Sequence, residues 1–202
     1  MNYPLDCLAD RKIYKCNNIC TYVLKMLHKN KLMIMELFFE EPSKNFQIRE
    51  ISRLTKIAVT SVKKYLEELQ RKNLINKDKK TLYPSYVANQ QEEMFRIYKQ
   101  QNIMLKMYSS GLINYLEEKF HPKCIILFGS MRKGEYVKES DIDIFLQCDE
   151  KKLNLTKFER ILKHNINLLF EENINKLSED LFNNIINGIK LSGYFKLEER
   201  GN

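Results

Sequence analysis

The sequence has no long run of apolar residues. No stretch of its 202 residues reaches the roughly 18 apolar positions that a membrane-spanning helix needs. Residues 1–12 also lack the apolar core of a secretion signal. We therefore expect a cytoplasmic protein that has no membrane partner.

Cysteine is too sparse for a structural metal site. The chain has five cysteines, which is an odd number. Cys16 and Cys20 are one helical turn apart, but no second Cys or His pair follows at the spacing of zinc ligands. We predict reduced thiols and no structural metal there.

Hydrophobic and charged residues are plentiful, at 44% and 30% of the chain. This balance is typical of globular domains and not of disordered segments. Because a single domain usually contains about 100 to 150 residues, the length predicts two domains.

The net charge of +8 belongs to one half of the chain. Residues 1–90 contain 17 Lys and Arg against 9 Asp and Glu, whereas residues 91–202 contain 17 of each class. The excess of positive charge indicates that the first half binds a polyanion. The alternative explanation is a lysine-rich surface that contacts only solvent.

Residues 30–88 show a pattern of short helices followed by a polar hairpin. KLMIMELFFEEP predicts a helix that Pro42 closes. FQIREISRLTKIAVTSVKKYLEELQRKNLI predicts an extended entry, a helix, a tight turn around Lys56 to Ala58, and a second helix. That helix is expected to begin near Thr60 or Ser61, either of which would cap it. INKDKKTLYPSY then predicts a Lys-rich hairpin.

This order of elements resembles a winged helix-turn-helix. The resemblance implies that the second helix enters the major groove of double-stranded DNA and that the hairpin contacts phosphates. The side chains it places toward the bases are Thr60, Ser61, Lys63 and Lys64, and those it places on the DNA backbone are Lys77, Lys79 and Lys80. A winged helix used for protein contacts is the alternative, and Glu67 and Glu68 argue against a uniformly basic helix.

The connector NQQEEMFRIYKQQNIMLKMYSSGLINYLEEKF has no proline and mostly keeps helical spacing. It predicts one long helix, with Ser109 to Gly111 as the place for a bend. Residues 10–28 predict a further helix. The Met- and Tyr-rich stripe on the connector is typical of a core or of a homodimer interface.

The second half begins with a pattern typical of a ligand site. KCIILF predicts a buried strand, and Gly129 and Ser130 follow where the chain leaves the sheet. Glycine permits close approach of a ligand to the backbone, and a serine at a helix start can bind phosphate. Arg132 and Lys133 add positive charge.

The next strand carries two carboxylates. In SDIDIFLQC the apolar side chains alternate with Asp141 and Asp143, which therefore share one face. Two neighbouring carboxylates suit a magnesium ion that also binds phosphate oxygens.

FGS followed by SDIDIFL on the next strand resembles the nucleotidyltransferase superfamily related to DNA polymerase beta, and in particular its minimal nucleotidyltransferases, over about residues 115–195. The resemblance implies that Gly129 and Ser130 bind the phosphates of a nucleoside triphosphate. It implies that Asp141 and Asp143 are the catalytic, magnesium-binding carboxylates. The implied reaction is attack of a hydroxyl on the α-phosphate, with release of pyrophosphate.

The resemblance fails at one position. The family has a third carboxylate on a later strand, and HNINLLFEE has Asn167 there, which offers neither charge nor a base. Glu171 or Glu172 is the candidate substitute. His164 and His121 are isolated and are expected at the surface.

The sequence therefore predicts an α+β protein in three parts. Residues 1–89 form an N-terminal helix and a winged helix-turn-helix, residues 90–120 a connecting helix, and residues 121–202 a small mixed-sheet nucleotidyltransferase domain. The predicted function is DNA binding with Mg²⁺-dependent nucleotide binding and transfer to an unknown acceptor. The alternatives are a transcriptional regulator whose second domain is inactive, and an interaction protein resembling the antitoxin partners of this superfamily.

Overall fold

The computed structural model describes residues 29–78, 83–150 and 152–195. The helix predicted over residues 10–28, Cys16, Cys20, Lys79 and Lys80 lie outside the described residues. Within the described ranges, no helix has both the length and the apolar character needed to cross a bilayer.

The first elements along the chain are helices and a small sheet. They are α1 (Lys29–Glu40), β1 (Phe46–Gln47), α2 (Ile48–Thr55), α3 (Val59–Arg71), β2 (Ile75–Asp78) and β3 (Ser85–Ala88). The strands are antiparallel in the order β1-β3-β2. The helix, turn, helix and hairpin predicted within residues 30–88 are therefore all present as elements.

The turn between α2 and α3 lies at Lys56 to Ala58, as predicted. Lys56 ends α2 in the left-handed conformation, with φ of 60°. The Ser52 hydroxyl donates to the carbonyl of Ile57 (2.6 Å), so the chain is already positioned for the next helix. As a result α3 begins at Val59 with Ala58 as its cap, and the predicted capping by Thr60 or Ser61 is wrong.

The apolar stripe of α3 faces a core, as predicted. Val62, Leu66 and Leu69 are fully buried. In the same compact unit the rings of Phe38 and Phe46 meet edge to face with centroids 5.2 Å apart. This packing determines which face of α3 remains in solvent.

The predicted connecting helix is interrupted at the place predicted for a bend, so the structure has two helices there. They are α4 (Glu93–Ser109) and α5 (Leu112–Phe120). Gly111 between them has φ of 79°, in the left-handed region that interrupts a right-handed helix.

The remaining elements form a four-stranded mixed sheet with helices. They are β4 (Cys124–Leu127), α6 (Gly129–Lys133), β5 (Ile142–Leu146), α7 (Thr156–Leu162), β6 (Ile166–Phe170), a 3₁₀ turn (Ile174–Lys176), α8 (Glu179–Ile186) and β7 (Ile189–Gly193). The strand order is β6-β5-β4-β7, in which β5 and β6 are parallel and the other pairs antiparallel. The predicted α+β class is confirmed.

Strand β7 was not predicted from the sequence. Strand β7 pairs with β4 through Leu127 and Ile189. Cys124, Ile126 and Phe145 form a core with Ile174 and Ile185. Of the cysteines in the described ranges, Cys124 is buried and Cys148 half-buried, and both are free thiols.

The described residues divide into two compact units. One contains residues 29–101 together with Gly134–Lys138, and the other contains Asn102–Lys133 and residues 139–195. The division falls within α4. Segment Gly134–Lys138 therefore packs in the first unit, although its neighbours in sequence are α6 and the approach to β5.

Candidate functional site

The end of β4 and the beginning of β5 lie side by side. The two strands are antiparallel, with Leu127 opposite Ile144, so the chain leaves β4 next to Asp143. The amide of Phe128 donates to the carbonyl of Asp143 (3.0 Å). This pairing brings Gly129, at the start of α6, against the second aspartate of the predicted pair.

The Asp143 carboxylate lies where a side chain at position 129 would be, and Gly129 has none. Its φ is 71°, and a Cβ built on it would overlap the Oδ2 atom of Asp143. The role of Gly129 in phosphate binding stays a prediction. The structure adds a second reason for glycine at this position, because any side chain there would displace the carboxylate.

Strand β6 brings two asparagines to the two aspartates. It runs parallel to β5 with Asn167 opposite Asp143. The Nδ2 of Asn167 donates to Oδ1 of Asp143 (3.2 Å), and the Nδ2 of Asn165 donates to Oδ1 of Asp141 (3.1 Å). Each of the two carboxylates therefore accepts a hydrogen bond from a different asparagine side chain. The contact made by Asn165 was not predicted, although the spacing of N-x-N matches that of D-x-D.

His164 precedes Asn165 in the chain, and the prediction that it is a surface residue is wrong. It is 4% exposed. Its Nδ1 lies 2.8 Å from the carbonyl oxygen of Ser140. Since a carbonyl oxygen only accepts, Nδ1 is the protonated nitrogen in this contact. His121 is exposed, as expected.

The donor set fits one divalent ion. Asp141 is exposed and Asp143 half-exposed, so both carboxylates are accessible at this end of the sheet. In the part of the chain that the structure describes, no group of three or more His, Cys, Asp or Glu side chains is placed to hold a metal. Magnesium keeps several waters and takes one or two carboxylates together with phosphate oxygens, which two aspartates can satisfy.

The predicted phosphate-binding residues occupy the short helix α6. Ser130 and Arg132 are half-buried and Lys133 is exposed. The Nε of Arg132 donates to the carbonyl of Asn187 (2.5 Å), which ties α6 to the end of α8. The roles of these three side chains toward a nucleotide stay predictions.

Comparison with known proteins identifies the family of this domain. The family model described as polymerase beta, nucleotidyltransferase matches residues 111–193, which run from the break before α5 to the end of β7. A protein of Methanocaldococcus jannaschii that carries the provisional name protein adenylyltransferase is 37% identical over 67 residues, which cover 29% of this chain and 67% of the relative. The chain belongs to the polymerase beta nucleotidyltransferase family. The family that FGS and SDIDIFL predicted, the nucleotidyltransferases related to DNA polymerase beta, is thereby confirmed for this domain.

Glu171 and Glu172 lie at the wrong end of the nucleotidyltransferase sheet to replace the third carboxylate. Both follow the last residue of β6, whereas Asn167 is near its beginning. At about 3.3 Å per strand residue, Glu171 is roughly 13 Å along the strand from Asn167. Glu171 accepts from the amide of Asn173 (2.9 Å), and Glu172 pairs with Lys123 (3.2 Å). The substitution considered from sequence is therefore wrong.

In the other compact unit, α3 has a polar outer face. Thr60, Lys63 and Lys64 are exposed and Ser61 is half-buried, while Lys77 on β2 is exposed. The acidic residue Glu68 is paired with Lys31 of α1. The hydrogen bond from Lys31 lowers the pKa of Glu68. Glu67 is exposed on α3, so it is Glu67 that interrupts the basic surface.

Proposed function

We propose that the nucleotidyltransferase domain binds a nucleoside triphosphate with Mg²⁺, and that residues 30–88 form a winged helix-turn-helix that binds duplex DNA. One observation carries the nucleotide proposal. Asp141 and Asp143 lie at the same end of the sheet as Gly129, and the backbone at Gly129 leaves room for the Asp143 carboxylate. Two carboxylates beside a close backbone approach support a magnesium and phosphate site, because magnesium binds one or two carboxylates together with phosphate oxygens.

The residues of the site have separate roles in the proposed chemistry. Asp141 and Asp143 would hold the ion, Ser130 and the backbone at Gly129 would bind phosphate oxygens, and Lys133 would add positive charge. A bound magnesium ion supplies charge neutralisation at the α-phosphate. Asn167 has no charge and accepts no proton, so nothing at its position helps to deprotonate an attacking hydroxyl. We expect nucleotide binding with slow transfer.

The name of the archaeal relative directs the choice of substrate. That protein is provisionally named for transfer of an adenylyl group to protein, so ATP is the first nucleotide to test and a protein hydroxyl the first acceptor. Transfer would join the hydroxyl oxygen to the α-phosphorus and release pyrophosphate.

Asn167 favours a second candidate function, which is a DNA-binding regulator with an inactive or nucleotide-sensing domain. In that case nucleotide binding would change DNA affinity without turnover. Binding as a homodimer would match paired DNA half-sites, since a two-fold protein fits a two-fold site.

The nucleotide proposal is tested by calorimetry on the full chain. We expect ATP to bind in the presence of magnesium and to bind much more weakly with EDTA. Asp141→Ala combined with Asp143→Ala should abolish the metal-dependent part while circular dichroism stays unchanged. Equal binding with and without the ion, or with and without the carboxylates, would refute the metal site.

Transfer is tested separately. The protein is incubated with α-labelled ATP, magnesium and cell-extract proteins, and label on protein is measured. Label that depends on Asp141 and Asp143 supports the enzyme, whereas metal-dependent binding without label supports the regulator.

A further inference from the structure

The segment that opens β6 contacts the segment that opens β5 nearly residue for residue. His164 contacts the carbonyl of Ser140, Asn165 contacts the carboxylate of Asp141, and Asn167 contacts the carboxylate of Asp143. The amide of Ile142 also donates to the carbonyl of Asn165 (2.8 Å). The side-chain contacts of Asn165 and Asn167 therefore rest on a backbone pairing that runs in register.

We infer that Asn165 is a positioning residue that holds Asp141 in the orientation needed to bind the metal ion of a nucleotide. The inference rests on the proposed nucleotide site and adds to it a residue that family resemblance did not indicate.

Asp141 needs such support more than Asp143 does. The carboxylate of Asp143 is confined by Gly129 on one side and Asn167 on the other. Asp141 precedes the first residue of β5 and is exposed. An exposed aspartate side chain samples several rotamers, and binding a metal then costs the entropy of selecting one of them. The hydrogen bond from Asn165 selects one in advance.

A carboxamide suits this role better than a charged side chain. Its N–H₂ group donates to Oδ1 of Asp141 and leaves Oδ2 available to an ion. A lysine would neutralise Asp141 and compete with the cation, and a carboxylate would repel it. The neutral donor thus orients Asp141 without changing the charge of the site.

The backbone of Asn165 is itself fixed from two sides. Its carbonyl accepts from Ile142, and its neighbour His164 is buried and contacts Ser140. The strand pairing therefore fixes the backbone from which the exposed Asn165 side chain reaches Asp141.

The test compares ATP binding by wild type, Asn165→Ala and a matched control, Asn154→Ala, each with magnesium and with EDTA. Asn154 is also exposed, and its side chain accepts from the amide of Thr156 at the start of α7. We expect Asn165→Ala to weaken magnesium-dependent binding about three- to tenfold, the factor that one hydrogen bond of ordinary net strength supplies. Binding in EDTA and the thermal midpoint should stay as in Asn154→Ala.

Three outcomes overturn the inference. If wild type and Asn165→Ala bind Mg-ATP within about twofold of each other, Asn165 does not position the carboxylate. If binding falls equally with and without magnesium, its role is general structure. If wild type itself shows no magnesium-dependent binding, both the proposed function and this inference fail. The first two outcomes refute only this inference and leave the proposed function standing.

Discussion

Gly129 and Gly111 both have positive φ, but only one of them lies against a carboxylate. A Cβ on Gly129 would overlap Asp143, whereas a Cβ on Gly111 would meet nothing within 4 Å. Gly129→Ala and Gly111→Ala should each lower the free energy of unfolding by about 1 kcal/mol through backbone strain. Only Gly129→Ala should also abolish magnesium-dependent ATP binding. Urea denaturation and calorimetry measure the two effects.

Gly111→Ala is thus the control for strain alone. If Gly129→Ala keeps full magnesium-dependent ATP binding, the contact between Gly129 and the Asp143 carboxylate is not needed for binding.

Asn167 is the residue on which the proposed slow transfer rests. Its Nδ2 donates to Asp143, so an acidic side chain at this position would lie beside the same carboxylate. Asn167→Asp should supply the third anionic ligand and raise adenylyl transfer by about tenfold or more, since each factor of ten corresponds to roughly 1.4 kcal/mol of barrier. The measurement is the initial rate of label incorporation.

Asn154→Asp makes the same change of charge at the start of α7 and should leave the rate unchanged. Rapid turnover by wild type that Asn167→Asp does not increase would show that the domain is a full enzyme without a carboxylate at this position.

The exposed face of α3 is the element on which the proposed DNA contact depends. Lys63 and Lys64 lie on this face, while Val62, Leu66 and Leu69 anchor the opposite one. Replacing both lysines by Ala should weaken duplex binding and reduce the slope of log affinity against log salt, because two positive charges are removed from the surface proposed to face the DNA. Fluorescence anisotropy at several salt concentrations measures the slope.

Lys152→Ala with Lys157→Ala removes the same charge from exposed positions of the nucleotidyltransferase domain. It should leave the slope unaltered. An equal loss in both double variants would mean that net charge, not α3, governs DNA binding.

In the molecule as a whole, a buried lysine joins α4 to the segment Gly134–Lys138. The Nζ of Lys99 donates to the carbonyl of Tyr136 and lies 4.4 Å from its ring centroid. Burial lowers the pKa of Lys99 from 10.5 to about 8, against the opposing effect of Glu40. Between these pH values the unfolded chain binds more protons than the folded protein, so the contribution of Lys99 to stability rises with pH.

The free energy of unfolding of wild type, relative to that of Lys99→Met, should therefore increase from pH 8 to pH 10. At about 1.4 kcal/mol per pKa unit the rise is at most about 3 kcal/mol. Burial also raises the pKa of Tyr86 and Tyr98, which lowers stability at still higher pH, but both proteins share that effect. If the free energy of unfolding from urea denaturation changes with pH in the same way in wild type and Lys99→Met, the pH dependence does not come from Lys99.

Local patterns in the sequence were sufficient for part of this structure. The alternation in SDIDIFL placed Asp141 and Asp143 on one face, because successive side chains of a strand point to opposite sides. The stripe Val62, Leu66 and Leu69 predicted the buried face of α3 in the same way. Both follow from the geometry of neighbouring residues.

Tertiary structure alone decided which side chains surround the aspartates. Asn165 and Asn167 reach Asp141 and Asp143 because β6 lies parallel to β5 in one register, 24 residues further along the chain. A shift of one residue would turn both asparagines to the other face of the sheet. The sequence by itself therefore determined the candidate metal ligands and the missing third carboxylate. The asparagines that contact these aspartates depended on how β6 pairs with β5. Pairing and register are determined by which face of the sheet is buried, and local periodicity alone does not reveal them.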